Sequence, residues 1–141
     1  MNSQIWGPHY WFFLHTISYN YPQNANDVTK KKYYDLIMNF PLFIPDETMA
    51  KNFNDLLDKY PVSPYLNTAK NFQKWVHFIH NKINIKLGKK QISQKQARIE
   101  YMLQYESATT KAMKKMNLKK HYIYLVYIVI LVIFLYFLMK Q

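Results

Sequence analysis

Apolar residues recur along this chain at helical spacing, and the clearest instance lies between residues 72 and 89. Phe72, Trp75, Val76, Ile79, Ile83 and Leu87 fall on one broad face when the sequence is wound at about 100° per residue. The spacing predicts a core-facing helix, capped by Asn67 or Thr68 and ending near Gly88, a residue free to take the left-handed C-cap conformation. A second stripe, His77, His80, Asn81 and Asn84, runs about a third of a turn or more away. Imidazoles and primary amides suit stacking on a heteroaromatic ring and hydrogen bonding to its edge, although the same pattern also describes a solvated polar face. His77 and His80 have i, i+3 spacing, but no carboxylate or thiol shares their face to complete a metal shell.

The same periodicity places further helices around this one. Pro8 suits the first turn of a helix running to about Asn20, with Trp11, His15 and Ser18 on one face and Leu14 and Ile17 turned inward. Residues 21–26 form a loop rich in Pro and Asn. Asp27 or Thr29 caps a second helix to about Phe40, with Tyr33, Leu36, Ile37 and Phe40 at apolar spacing, before the 41–45 segment breaks the chain. Pro45-Asp46-Glu47 then opens a third helix, with proline at its first position and two carboxylates at the positive end of its dipole. It carries Met49, Phe53, Leu56 and Leu57 and stops at Tyr60, ahead of Pro61 and Pro64. Ser93 and Gln96 make a capping box for a helix from about Gln94, and the absence of Pro and Gly after Lys89 predicts a long helix breaking near Asn117.

From Tyr122 to Met139 the chain is uncharged and almost wholly apolar. Eighteen helical residues span about 27 Å, close to the hydrocarbon thickness of a bilayer, so membrane lipid is the first partner expected. Tyr122, Tyr124 and Tyr127 suit the interface at one end and Lys140 can snorkel at the other. The net charge of +11 is uneven: residues 1–106 hold thirteen basic and eight acidic residues, and residues 107–120 add five lysines and no acid. By the positive-inside rule this predicts a cytosolic N-terminal domain, with only Lys140 and Gln141 crossing. The +5 of the first 106 residues is mostly lysine, ordinary for a solvated surface, and no nucleic-acid partner is expected.

Composition removes other chemistries. Without cysteine the chain has no disulfide, thiolate nucleophile or Cys-based metal site. With two glycines, Gly7 and Gly88, it has neither a dinucleotide-binding nor a phosphate-binding glycine loop. The opening MNSQIWGPHYW lacks the basic region and cleavage site of a secretion signal.

Two ordered motifs carry a resemblance. Trp75, His80-Asn81-Lys82-Ile83-Asn84 and Leu87-Gly88-Lys89 are similar to the W-x-x-x-x-H-N-x-V-N-x-x-L-G-K signature of the Erv/ALR family of FAD-linked sulfhydryl oxidases. Trp6-Gly7-Pro8, Trp11, Leu14-His15-Thr16 and Tyr21-Pro22 resemble that family's W-G-x-x-x-W-x-x-L-H-T-x-x-x-x-Y-P. The resemblance covers roughly residues 4 to 90. It implies an all-α fold, an antiparallel four-helix bundle holding FAD and often a homodimer, with Trp11, His15, His77, His80, Asn81, Asn84 and Lys86 around the cofactor. Membrane-bound relatives occur in large cytoplasmic DNA viruses, and the richness in Lys, Asn, Tyr and Ile fits an AT-rich genome.

One departure is chemical. Where the family has P-C-x-x-C-x-x-x-F, this chain reads Pro45-Asp46-Glu47-Thr48-Met49-Ala50-Lys51-Asn52-Phe53, so Asp46 and Met49 stand at the positions of the redox pair. Pro8 and His77 also differ, from the arginine and cysteine of many relatives. The expected organisation is a bundle over 1–90, a basic helical stalk over 91–120 and a transmembrane helix over 121–139. Two functions are open: a catalytically inactive homologue with a structural or assembly role on a membrane, such as a virion membrane, or an oxidase whose thiols a partner supplies. That partner would be an active paralogue or another virion protein.

Overall fold

The computed structural model describes residues 2–106 and 108–140. It contains helices α1 (Ser3–Tyr19), α2 (Asp27–Asn39), α3 (Glu47–Lys59), α4 (Ala69–Lys86), α5 (Gln94–Leu103) and α6 (Ala108–Met139). Short 3-10 turns at Phe40–Phe43 and Ser63–Tyr65 join α2 to α3 and α3 to α4, and no strand occurs among the described residues. The all-α expectation therefore holds. The chain forms two compact units, one ending at Tyr101 and the other beginning at Met102.

Side-chain caps set most helix starts. The Asn2 side chain accepts from the Gln4 amide, so α1 begins at Ser3 and Pro8 lies inside the helix rather than in its first turn. A proline there removes one amide donor, which the flanking turns absorb. For α2 the cap is Asn26, not Asp27 or Thr29: Asn26 has the extended backbone that capping needs, and its Oδ1 accepts from the Thr29 amide at 2.8 Å. Asp27 becomes the first helical residue, an acid at the positive end of the dipole. Likewise Asp46 is the cap of α3, which places Pro45 outside the helix, and Thr68 is the cap of α4. Ser93 Oγ receives the Gln96 amide at 3.1 Å, but the Gln96 side chain reaches forward to Glu100 instead of back, so only half of the capping box forms.

α4 ends in a Schellman motif. Gly88 has φ of 67°, the Lys89 amide donates to the Asn84 carbonyl at 2.8 Å, and the Gly88 amide donates to that of Ile85 at 3.0 Å. Its apolar face is buried as the spacing requires from Phe72 to Ile83, whereas Leu87, beyond the last helical residue, is 41% exposed. Around that face lie Leu14 of α1, Ile37 of α2, Phe53, Leu56 and Leu57 of α3, and Val62 and Leu66 from the connection to α4. Two polar atoms carried into the core are paired: Trp75 Nε1 donates to the Tyr60 carbonyl at 2.9 Å, and the Tyr21 hydroxyl to that of Leu66 at 2.6 Å.

The helix expected to run from the domain with a break near Asn117 is interrupted earlier. α5 ends at Leu103, and α6 continues unbroken through Asn117. α5 also buries part of its surface. Ala97 and Tyr101 pack into the first unit, where the Tyr101 ring stacks on Phe12 with centroids 5.1 Å apart and its hydroxyl is 3.0 Å from Thr16 Oγ.

Replacing Tyr21 by Phe leaves the Leu66 carbonyl unpaired in the core. It is expected to destabilise the fold by about 1–3 kcal/mol, whereas the surface change Tyr65→Phe should have little effect. Urea-induced loss of helical circular dichroism in detergent-solubilised protein measures both.

Candidate functional site

α1 and α4 pack side by side and bring together residues far apart in sequence. Trp11 and His15, one turn apart on α1, face His80 of α4. The Trp11 indole lies flat against the His80 imidazole, with ring centroids 4.0 Å apart and planes 8° from parallel. His15 Nε2 stands 3.0 Å from His80 Nδ1. One of these nitrogens must carry a proton and the other a lone pair, so the contact requires complementary tautomers. Phe53 of α3 closes on Trp11 at 6.3 Å, and Tyr19 lies over His15 at 6.0 Å.

Burial controls the charge of this group. Desolvation, aided by the proximity of His77, lowers His15 from its ordinary 6.5 to about 4. His80 falls to about 3, first through burial and then through His15, His77 and Lys89. Burial also lowers His77, with the Ile92 carbonyl opposing it. All three imidazoles are therefore neutral at neutral pH. Yet His77 Nδ1 is buried with no hydrogen-bond partner, and so is Trp6 Nε1. Such atoms are costly to leave unpaired, and each is a place where a ligand atom would be favoured.

The other residues predicted around a ligand divide by role. Asn81 clasps the main chain of the following loop: its Nδ2 donates to the Ile92 carbonyl at 2.9 Å, and its Oδ1 accepts from the Ile92 amide at 3.2 Å. The same Nδ2 is 3.1 Å from His77 Nε2, which ties the clasp to the imidazole group. Asn84 is buried, and its carbonyl anchors the helix end described above. Lys86 instead reaches α3, donating to Asn52 Oδ1 at 2.7 Å. Asp46 and Met49 are joined through the cap, Asp46 Oδ1 accepting from the Met49 amide at 2.9 Å.

Sequence reasoning missed Tyr19, Phe53 and the role of Ile92. Tyr19 continues the Trp11, His15 spacing by one more turn, so periodicity alone carried that signal. Ile92 contributes only main-chain atoms, which have no side-chain signature. In this arrangement the Trp11 and His80 faces cover one another, and the group leaves neutral imidazoles and one unpaired ring nitrogen, which can hydrogen-bond the edge of a heteroaromatic ligand. Among the described residues no three His, Asp or Glu side chains gather to hold a metal.

Comparison with known proteins gives a concordant picture. The sequence model of the Erv1 / Alr family matches residues 8–106. A probable FAD-linked sulfhydryl oxidase of Acanthamoeba polyphaga mimivirus is 32% identical over 69% of this chain and 68% of that relative. The FAD-linked sulfhydryl oxidase of an African swine fever virus isolate is 31% identical over 77% of this chain and 86% of that relative. In fold, the chain is similar to the crystal structure of the FAD binding domain of Erv1 from Saccharomyces cerevisiae, with a TM-score of 0.67 and 22% identity over 75% of this chain and 99% of that one.

The imidazoles make stability depend on pH. Below about 6.5 the unfolded chain takes up protons that folded His15 (about 4) and His80 (about 3) refuse, so their stabilising contribution is complete above 6.5 and is lost as pH falls toward those values. The thermal midpoint should drop across this window, and His80→Phe should flatten the dependence. Thermal circular dichroism at stepped pH reads both.

Proposed function

The chain belongs to the Erv1 / Alr family, and on that premise we propose that it is a membrane-anchored, flavin-holding member without thiol oxidase activity of its own. The observation that carries this is the absence of cysteine from all 141 residues. Disulfide exchange needs a thiolate that attacks a substrate disulfide and a second thiolate that passes electrons on. The Asp46 carboxylate and the Met49 thioether do neither, and Asp46 is committed to capping α3.

The residues present fit a flavin. Trp11, His15 and His80 supply flat rings, the two imidazoles held neutral by burial, whose sides not stacked on one another could meet a flavin, and the buried, unpaired His77 Nδ1 can hydrogen-bond the edge of a ring. Asn81 fixes His77 and the loop after α4, while Asn84 and Lys86 border the same helix end. A bound FAD would supply a two-electron acceptor. The chain's own contribution is to hold and orient that group and to keep bulk water from its faces. The function that follows is a structural or assembly role on a membrane, including a virion membrane.

α6 supports the anchor. It contains the one stretch among the described residues that is long and apolar enough to cross a membrane, Met113–Ile133; the four lysines of that stretch lie in its first eight residues, and the uncharged run begins only at Tyr122 and continues in sequence to Met139. Its described apolar side chains stay exposed, Ile123 at 54% and Val126 at 58% among them. A helix of this composition needs a non-aqueous surrounding to cover it.

Purified protein should retain an absorbance band near roughly 450 nm through gel filtration, and His80→Ala should weaken that retention while Lys70→Ala should not. Dithiothreitol-dependent oxygen uptake should not exceed that of free FAD. Uptake well above it from this chain alone would refute the loss of activity, and uptake appearing only with an added thiol-bearing protein would point to a two-chain enzyme. Colourless protein that stays colourless with FAD, yet unfolds cooperatively, would leave the structural role alone.

The orientation has its own check. Protease added from the cytosolic side of intact vesicles should remove the N-terminal unit, because the lysines preceding the span favour that face. Protection of the unit would reverse the assignment.

A further inference from the structure

The strongest unassigned feature is the lysine band at the start of α6. Lys114, Lys115, Lys119 and Lys120 lie on a single continuous helix with the apolar run from Tyr122, and all four are exposed. No acid occurs after Glu106, and Glu106 itself pairs with Lys114. Lys115, Lys119 and Lys120 therefore stand without a carboxylate among the described residues. His121 is turned back, its Nδ1 against the Asn117 carbonyl at 2.9 Å, and belongs to the helix rather than to the band.

Helical rise places these charges at definite heights. Lys120 and Lys119 lie about 3 and 4.5 Å before Tyr122 along the axis, and Lys115 and Lys114 about 10 and 12 Å. The polar layer on each side of the hydrocarbon is about 5–7 Å thick, and the Debye length at physiological salt is about 8 Å. If Tyr122 marks the hydrocarbon boundary, Lys119 and Lys120 sit among the phosphates, while Lys114 and Lys115 sit just above them, still within one screening length. The first pair cannot avoid headgroup contact. The second pair acts through the field.

We propose that this band is a seat for anionic phospholipid headgroups, which enriches such lipids around α6. The proposal rests on the membrane-anchored reading above and names the lipid class that the anchor selects. Charge complementarity and direct continuity with the apolar span favour a bilayer over a soluble polyanion. Each lysine near an anionic surface favours binding by about fivefold, and Lys119 and Lys120 should contribute more than Lys114 and Lys115.

The test uses the full chain reconstituted in phosphatidylcholine bilayers with trace spin-labelled phosphatidylserine or phosphatidylcholine. The motionally restricted fraction at the protein boundary should favour phosphatidylserine, and high salt should reduce the preference. Lys119→Gln with Lys120→Gln should lower it by up to about 25-fold, and Lys114→Gln with Lys115→Gln by less. These exposed changes leave the helix intact, which circular dichroism verifies. Equal restriction of both lipids in an integrated protein would overturn the inference and leave the anchored reading standing. Protein that alkaline carbonate strips from the bilayer would overturn both. Displacement of phosphatidylserine by a short oligonucleotide at physiological salt would also overturn it, by assigning the band to nucleic acid.

Discussion

The packing of α1 against α4 is the contact on which both the core and the site depend. One side of α4 delivers Phe72, Trp75, Val76 and Ile79 to the interior, while the neighbouring stripe meets Trp11 and His15 across the same interface. Desolvation does two things at once there. It drives the apolar faces together, and it strips charge from imidazoles that would be partly protonated in water. The site is therefore a by-product of core formation, and its neutrality is a consequence of how tightly the bundle closes.

Much of this was legible in the residues. The 3.6-residue periodicity located α1 to α4, and of the stripe His77, His80, Asn81, Asn84 it is His80 that meets α1. Caps were legible as residue types but not always as positions. Asn26 and Asp27 are both capable, and only the backbone conformation chooses between them. The interruption before α6 was not legible at all. Nothing in the local sequence breaks a helix near Gln104, and the docking of Tyr101 on Phe12 and Thr16 just before the interruption has no local signature either.

Asn81 shows where a motif and a structure say different things about one residue. As a family signature residue it belongs to the set implied to surround a cofactor, yet both ends of its amide are engaged by the backbone of Ile92. A primary amide is the side chain that can mimic a peptide unit, donating and accepting at the spacing of a backbone pair. That match explains why an asparagine suits this position whether or not a ligand is present. Its neighbour His77, left with an unpaired nitrogen, is the residue that such self-sufficiency does not explain.

Asp46 has a consequence for the history of the chain. A carboxylate at the start of α3 accepts a backbone amide better than a neutral thiol does, so the residue that stands in place of a reactive group strengthens the helix it begins. Replacing Asp46 by cysteine would give up a cap worth about 1 kcal/mol, whereas replacing Met49 would not, since Met49 contributes only its main-chain amide to it. Selection for foldedness alone is therefore enough to keep a carboxylate at the start of α3, independently of any chemistry at the site.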